Sequence, residues 1–282
     1  MLTLEMKTGK NYVSHSSLST WLQCGWSFYL SRIQRVEEIP SWWLVGGKAV
    51  HEATEYYDLN GSEGFNSASV FMEAWTRNLP DNLGALNFRS AGRKSKTYPF
   101  GEDSSWWLEE GPKMVDRWVE FRLNSGYQVY QYSDGSAAIE TKMDQVVGGV
   151  PVKAVLDRLM VSPSGELIVV DIKTGSREPM SKMQMGIYAV LVEKQFGLRP
   201  TGGAYWMSRS GELTEQYDLS HFTESRLASW AKNFEKAVLQ DLYIPSPGMM
   251  CGTCGVRDAC YIVKGKDSYK YPEITEDGES NV

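Results

Sequence analysis

The sequence predicts an α/β (α+β) fold: a mixed sheet flanked by helices, with a helical lobe ahead of it and a cysteine-bearing region behind it. Three observations predict this. Apolar residues recur at helical spacing through the first 125 residues or so. The period then changes to two over "AAIETKMDQVV", "VPVKAVLDRLMV" and "ELIVVDIKTG". A further helical stretch, "EPMSKMQMGIYAVLVEKQFG", separates these from a second set of strand-like runs, a mixture that calls for helices packed on a sheet.

Taken in order, "SHSSLSTWLQCGWSFYLSRIQRV" opens on serine caps and predicts a helix over 17–35. "WWLVGGKAVHEATEYYDLN" predicts a second helix, carrying His51, and residues 65–78 a short third. "NLGALNFRSAGRKSKTYPFGEDS" is a long basic loop of the kind that often serves function. "SWWLEEGPKMVDRWVEFRLNSG" returns to helix. Turn residues at 148–149 ("GG") and 162–165 ("SPSG") divide the three strands. The helix that follows ends at Gly197, "GGAYWMSR" and "LTEQYDL" read as a hairpin, and 221–241 as a last helix. We expect a single domain over 1–266, with a helical lobe at 17–125, a core sheet at 136–220, and a polar, disordered tail at 267–282.

The chain of 282 residues, 42% hydrophobic and 23% charged, is long enough for a sizeable core. No apolar run approaches the roughly 20 residues of a membrane helix. The first residues lack the apolar stretch of a signal peptide, so a cytoplasmic location is expected. The formal net charge of -6 argues against a non-specific nucleic-acid coat, but not against an enzyme with a local basic groove.

The strands carry the chemistry. Asp171 and Lys173 are two apart in a strand and share a face. If the turn after the second strand centres on residue 164, Asp157 falls opposite Asp171. If the turn before it centres between 148 and 149, Glu140 falls opposite Asp157. Opposed residues have Cβ atoms about 5 Å apart, so three acids and a lysine would line one face. Acids so close repel, and a hard divalent cation such as Mg²⁺ or Mn²⁺ relieves the repulsion. With Lys173 orienting a water or stabilising negative charge, the arrangement suits metal-assisted hydrolysis of a phosphodiester. A solvated sheet face with acid–lysine pairs is the plainer alternative.

These residues resemble the PD-(D/E)XK nuclease superfamily, in its RecB-like and Cas4-like exonuclease branch. Asp157 matches the first acid and Asp171-Ile172-Lys173 the (D/E)-x-K. Gly47-Lys48-Ala49-Val50-His51 matches the branch's G-x-x-x-H, and Gln184-Met185-Gly186-Ile187-Tyr188 its Q-x-x-x-Y. The resemblance runs from about residue 16 to 262. It implies a restriction-endonuclease-like core, metal ligation by His51, Asp157, Asp171 and the Ile172 carbonyl, and a role for Lys173 on the attacking water. Glu140 stands where many members have an acid. Gln184 and Tyr188 would position the substrate strand or support the site. The implied activity is exonucleolytic cleavage of DNA, commonly at single-stranded ends. The implied settings are recombination, repair or CRISPR adaptation, with protein partners there, in bacterial, archaeal or phage-infected cells.

The cysteines are Cys24, Cys251, Cys254 and Cys260. In a cytosolic protein such a set favours metal over disulfides. By spacing, the C-terminal three read as most of a zinc site, and zinc and iron–sulfur both accept four thiolates. The branch named above uses one N-terminal and three C-terminal cysteines for a structural [4Fe–4S] cluster, although Gly25 stands here where a proline is often found. In the loop, Arg89, Arg93, Lys94 and Lys96 form the candidate phosphate-binding edge. Tyr98, Trp106 and Trp107 could stack on bases, but a tryptophan pair at a helix start is expected to be core. Two rivals stand beside the exonuclease: a catalytically silent DNA-binding or assembly module of the same fold, and a zinc-stapled endonuclease.

Overall fold

A computed structural model describes residues 3–81, 83 and 87–264. The expected tail at 267–282, and residues 82 and 84–86 of the basic loop, lie outside the described residues. The chain divides into two compact units, Met1–Ile39 with Lys232–Val282, and Pro40–Ala231.

In the first unit, α1 (Leu4–Thr8) and β1 (Val13–Ser14) precede α2 (His15–Gln23). Ser14 caps α2, its Oγ accepting the Ser17 N–H at 3.1 Å. The single helix expected over 17–35 is broken. Cys24 is extended (φ −163°, ψ 105°), and the chain re-forms as α3 (Gly25–Phe28) and a π-helical turn, Tyr29–Ile33. Cys24 caps α3 in its turn, with Sγ accepting the Ser27 N–H at 3.4 Å. Glycine is required next to it, because a Cβ on Gly25 would lie 2.8 Å from the backbone nitrogen of Ile244. Apolar spacing runs on through the break, so periodicity carried no sign of it.

The second unit holds α4 (Trp42–Asn60), α5 (Ser67–Asn78) and α6 (Ser104–Asn124), the three helices expected. Val50, Phe71, Trp75, Trp107 and Val115 form their shared core. Next come β2 (Gln128–Val129), β3 (Ile139–Val147), β4 (Val150–Val161) and β5 (Leu167–Lys173), an antiparallel series in which β2, β3 and β5 all pair with β4. Helix α7 (Met183–Phe196) crosses over to β6 (Gly202–Met207), which pairs with β5 in parallel. Two short strands, β7 (Glu212–Leu213) and β8 (Tyr217–Asp218), pair antiparallel with β6 in place of one continuous hairpin partner. The sheet is therefore mixed. Helix α8 (Glu224–Leu239) follows, then two 3₁₀ turns, Met249–Thr253 and Arg257–Ala259, and α9 (Tyr261–Lys264).

Both tight turns set the predicted register. Val147 pairs with Val150 and Ile139 with Arg158, while Val161 pairs with Leu167 and Arg158 with Val170. One sheet face, with Met160, Ile168, Val170 and Ile172, packs with Tyr57, Trp118 and Trp206. Alternation sends Asp157, Asp171 and Lys173 to the opposite face, where α7 lies and Met185 to Val192 are buried. No helix of the described residues is long and apolar enough to cross a membrane.

Candidate active site and metal centre

Strand register and one helix assemble the site. Asp157 and Asp171 sit next to the last paired positions of β4 and β5, where the ladder gives way to side-chain contacts. Asp157 Oδ2 accepts the Ile172 N–H at 2.8 Å. Lys173 Nζ lies 2.5 Å from Asp171 Oδ2. That approach is an ion pair, and the other buried oxygen, Oδ1, has no hydrogen-bond partner among the described residues. Lys173 Nζ also donates to Gln184 Oε1 at 3.0 Å, and Gln184 Nε2 donates to the Tyr188 hydroxyl at 2.8 Å. The (i, i+4) spacing on α7 makes that second bond, and the two bonds fix the lysine head.

His51 arrives from α4, which runs close to the end of β5: a Cβ on Gly47 would lie 3.2 Å from Thr174 Oγ1. Its Nδ1 is 3.5 Å from Asp157 Oδ2 and 4.0 Å from Glu140 Oε1. Glu140 is held at φ 45°, in the left-handed region. Such a backbone costs roughly 1–3 kcal/mol in a residue with a Cβ and is accepted where a site needs the side chain re-aimed. Ligand atoms of His51, Glu140 and Asp157 all lie within 4.8 Å of one another, the one such trio among the described residues. Hard oxygens with one imidazole suit Mg²⁺ or Mn²⁺ after a small contraction. Asp171 lies beside this trio with Oδ2 on Lys173 and a buried Oδ1 that no donor among the described residues meets, an oxygen left for a cation.

Electrostatics agree. Burial, reinforced by Asp157 and opposed by Lys173 and His51, pushes Asp171 up to about 7. Burial alone would lower the His51 pKa, but Asp157, Glu140 and Asp171 outweigh it and the net shift is upward. Tyr188 is raised well above its ordinary value, first by burial and then by Asp171 and Asp157. The expected row of Glu140, Asp157, Asp171 and Lys173 is thus brought together with His51, Gln184 and Tyr188. The Ile172 side chain is buried on the opposite face, while its N–H holds Asp157.

Two arginines were not anticipated. Arg158 is fully buried and its Nη1 donates to Glu140 Oε1 at 3.5 Å. The signal was a second charge directly after Asp157, on the strand face that alternation assigns to the apolar Leu156 and Met160. Arg209 forks onto Glu102 at 2.7 and 2.8 Å, donates to the Thr174 carbonyl at 2.8 Å, and covers the Trp106 ring at 4.7 Å. It ties the end of the basic loop to the residue after Lys173. In that loop Arg93, Lys94 and Lys96 are exposed. Arg89 instead lies over Trp43 at 4.9 Å, with its backbone bonded to Pro40 and Trp42. Trp107 is buried core, as expected, and Trp106 is half-buried.

In the first unit, Cys24, Cys251, Cys254 and Cys260 all line one cavity of 230 Å³. Cys24 Sγ accepts the N–H groups of Ser27 and Ser246, each at 3.4 Å, and Cys251 Sγ that of Gly248 at 3.4 Å. Cys254 Sγ lies 3.5 Å from the Ser27 hydroxyl.

A mixed sheet presenting a His–carboxylate trio and a buried aspartate paired with a lysine defines a metal-dependent nuclease. The model of the PD-(D/E)XK nuclease superfamily matches residues 12–261, and the chain belongs to that superfamily. It is 26% identical over 275 residues to the gene 69 protein of Mycobacterium phage D29, covering 89% of this chain and 97% of that protein. A crystal structure of a candidate exonuclease of Eubacterium rectale aligns with a TM-score of 0.47 at 13% identity, over 90% of this chain and 92% of that one.

Proposed function

We propose that the protein is a divalent-metal-dependent DNA exonuclease of the RecB-like and Cas4-like branch, acting on single-stranded ends and stapled by an iron–sulfur cluster. The observation that carries the catalytic part is Asp171, fully buried and ion-paired with Lys173 beside the His51–Glu140–Asp157 trio. His51, Glu140, Asp157, Asp171 and the Ile172 carbonyl would hold the cation. When bound, the cation supplies Lewis-acid stabilisation of charge on the phosphodiester. Lys173, steadied by Gln184, orients a water toward phosphorus and stabilises the negative charge that develops. Tyr188, held neutral, keeps Gln184 in place. Exposed Arg93, Lys94 and Lys96 receive the DNA backbone without reading sequence.

The shared cavity and the N–H groups on sulfur support a metal group held by the four cysteines, and the branch resemblance favours [4Fe–4S] over zinc. The likeness to a phage protein over nearly its full length favours a phage setting, and so the cytoplasm of an infected host, over a CRISPR locus. The test is digestion of end-labelled linear single-stranded DNA with Mn²⁺ by wild type and Asp171→Ala, purified without oxygen. Shortening by the wild type alone supports the exonuclease. Cutting of circular DNA favours the endonuclease, and absence of cutting by either protein favours the silent binding module.

A further inference from the structure

Arg158 has no part in the scheme above, yet its guanidinium makes four hydrogen bonds beside the site. It lies on the sheet face of Met160, Ile168, Val170 and Ile172, with no exposure to solvent. A buried guanidinium costs several kcal/mol unless its charge and its N–H groups are met. Asp58, also fully buried, meets the charge: its Oδ2 accepts Arg158 Nε at 2.7 Å and Trp118 Nε1 at 3.1 Å, and its Oδ1 accepts Arg122 Nε at 2.9 Å. Arg158 Nη1 donates to the Asp157 carbonyl at 2.7 Å, Nη2 reaches Thr54 Oγ1 at 3.5 Å, and the guanidinium covers the Trp118 ring at 5.6 Å.

Those contacts would bury Arg158 without Glu140. The structure nevertheless places Glu140 in a costly left-handed backbone that lets its Oε1 lie between Arg158 Nη1, at 3.5 Å, and His51 Nδ1, at 4.0 Å. His51, Thr54 and Asp58 are three and four apart along α4, so one helix face carries both a candidate ligand and the anchor of the arginine. We propose that Arg158 is a positioning residue for the cation site: gripped by Asp58, it sets the carboxylate of Glu140 where a divalent cation needs it. A long side chain fixed in advance loses less freedom on binding, and partners that orient ligating carboxylates carry much of a site's affinity.

The inference rests on the metal-site reading, and its sign is informative. The positive charge of Arg158 opposes a cation at the shared carboxylate, so charge alone predicts that weakening this contact tightens cation binding. Positioning predicts the opposite for a substitution that keeps the charge. The experiment is Mn²⁺ binding to the full chain, followed by electron paramagnetic resonance, for wild type, Arg158→Lys, Glu140→Gln, the double variant and Asp171→Ala. Arg158→Lys should weaken Mn²⁺ binding about tenfold, and should add nothing once Glu140 is Gln. Wild-type affinity in Arg158→Lys, or an equal loss in both backgrounds, overturns the proposal, the latter by exposing a general structural effect. Equal Mn²⁺ binding by wild type and Asp171→Ala would instead overturn the metal-site reading, and the proposal with it. If Arg158→Lys does not fold, Asp58→Asn, which loosens the anchor and leaves the arginine in place, is judged by the same criteria.

Discussion

The carboxylate site of Pro40–Ala231 hangs on long strands, whereas the cysteine cavity of the other unit hangs on a helix break and two 3₁₀ turns. In the first, two turn positions fix the register, which places Asp157, Asp171 and Lys173 together, while a left-handed backbone brings Glu140 to them. In the second, Cys24 meets residues from the far end of the chain, and no periodic ladder relates them. The regions also differ in how they hold charge. Each acid has its own partner in the structure: Asp171 has Lys173, Glu140 has Arg158, and Asp157 has His51 and the Ile172 N–H. The repulsion expected from three adjacent acids is therefore relieved partly by protein groups, and a cation must compete with them. The cysteine sulfurs instead meet N–H and hydroxyl groups, in a cavity that Arg257 also lines.

The largest effects should fall on the carboxylate site. Asp171→Ala and Lys173→Ala should each lower single-turnover cleavage by about a thousandfold or more, with the fold intact by circular dichroism. Full activity in either variant would show that the strand row is only a charged face.

Competition with protons comes next. Asp171, raised to about 7, must lose its proton to bind a cation. Mn²⁺ affinity should therefore rise with pH up to and through neutrality, as Asp171 and then the raised His51 lose the protons that a cation must displace. Stability of the metal-free protein runs the other way. A folded pKa above the unfolded value of 3.8 contributes stability at low pH that is lost as pH rises toward 7. Asp171→Asn should abolish that decline in thermal melts. A flat Mn²⁺ profile would mean that Asp171 is already ionised.

In the other unit, Cys254→Ala should lose iron and its visible absorbance and lower the melting temperature by several degrees. An unchanged spectrum would remove the cluster, and zinc in place of iron would revive the endonuclease rival. The smallest effect belongs to the exposed loop: Lys96→Gln should reduce the salt dependence of DNA binding by about one phosphate contact and leave cleavage at saturating DNA unchanged.

Much was legible in the sequence because alternation and turn chemistry are local. Val150–Val161 and Trp42–Asn60 fall where their patterns put them, and the strand register followed from Gly148–Gly149 and Ser162–Gly165. The break at Cys24 was hidden, since Gly25 is required by Ile244, a residue that sequence distance keeps out of view. Arg158 and Arg209 were hidden for the same reason. Their charges are met by Asp58 and Glu102, each about a hundred residues away. Local periodicity thus decided which side chains share the strand face, because a pleated strand leaves only two choices. Packing of α4 and α6 on the sheet decided which buried charges brace that face, because such partners are chosen by proximity in space and leave no spacing in the chain to read.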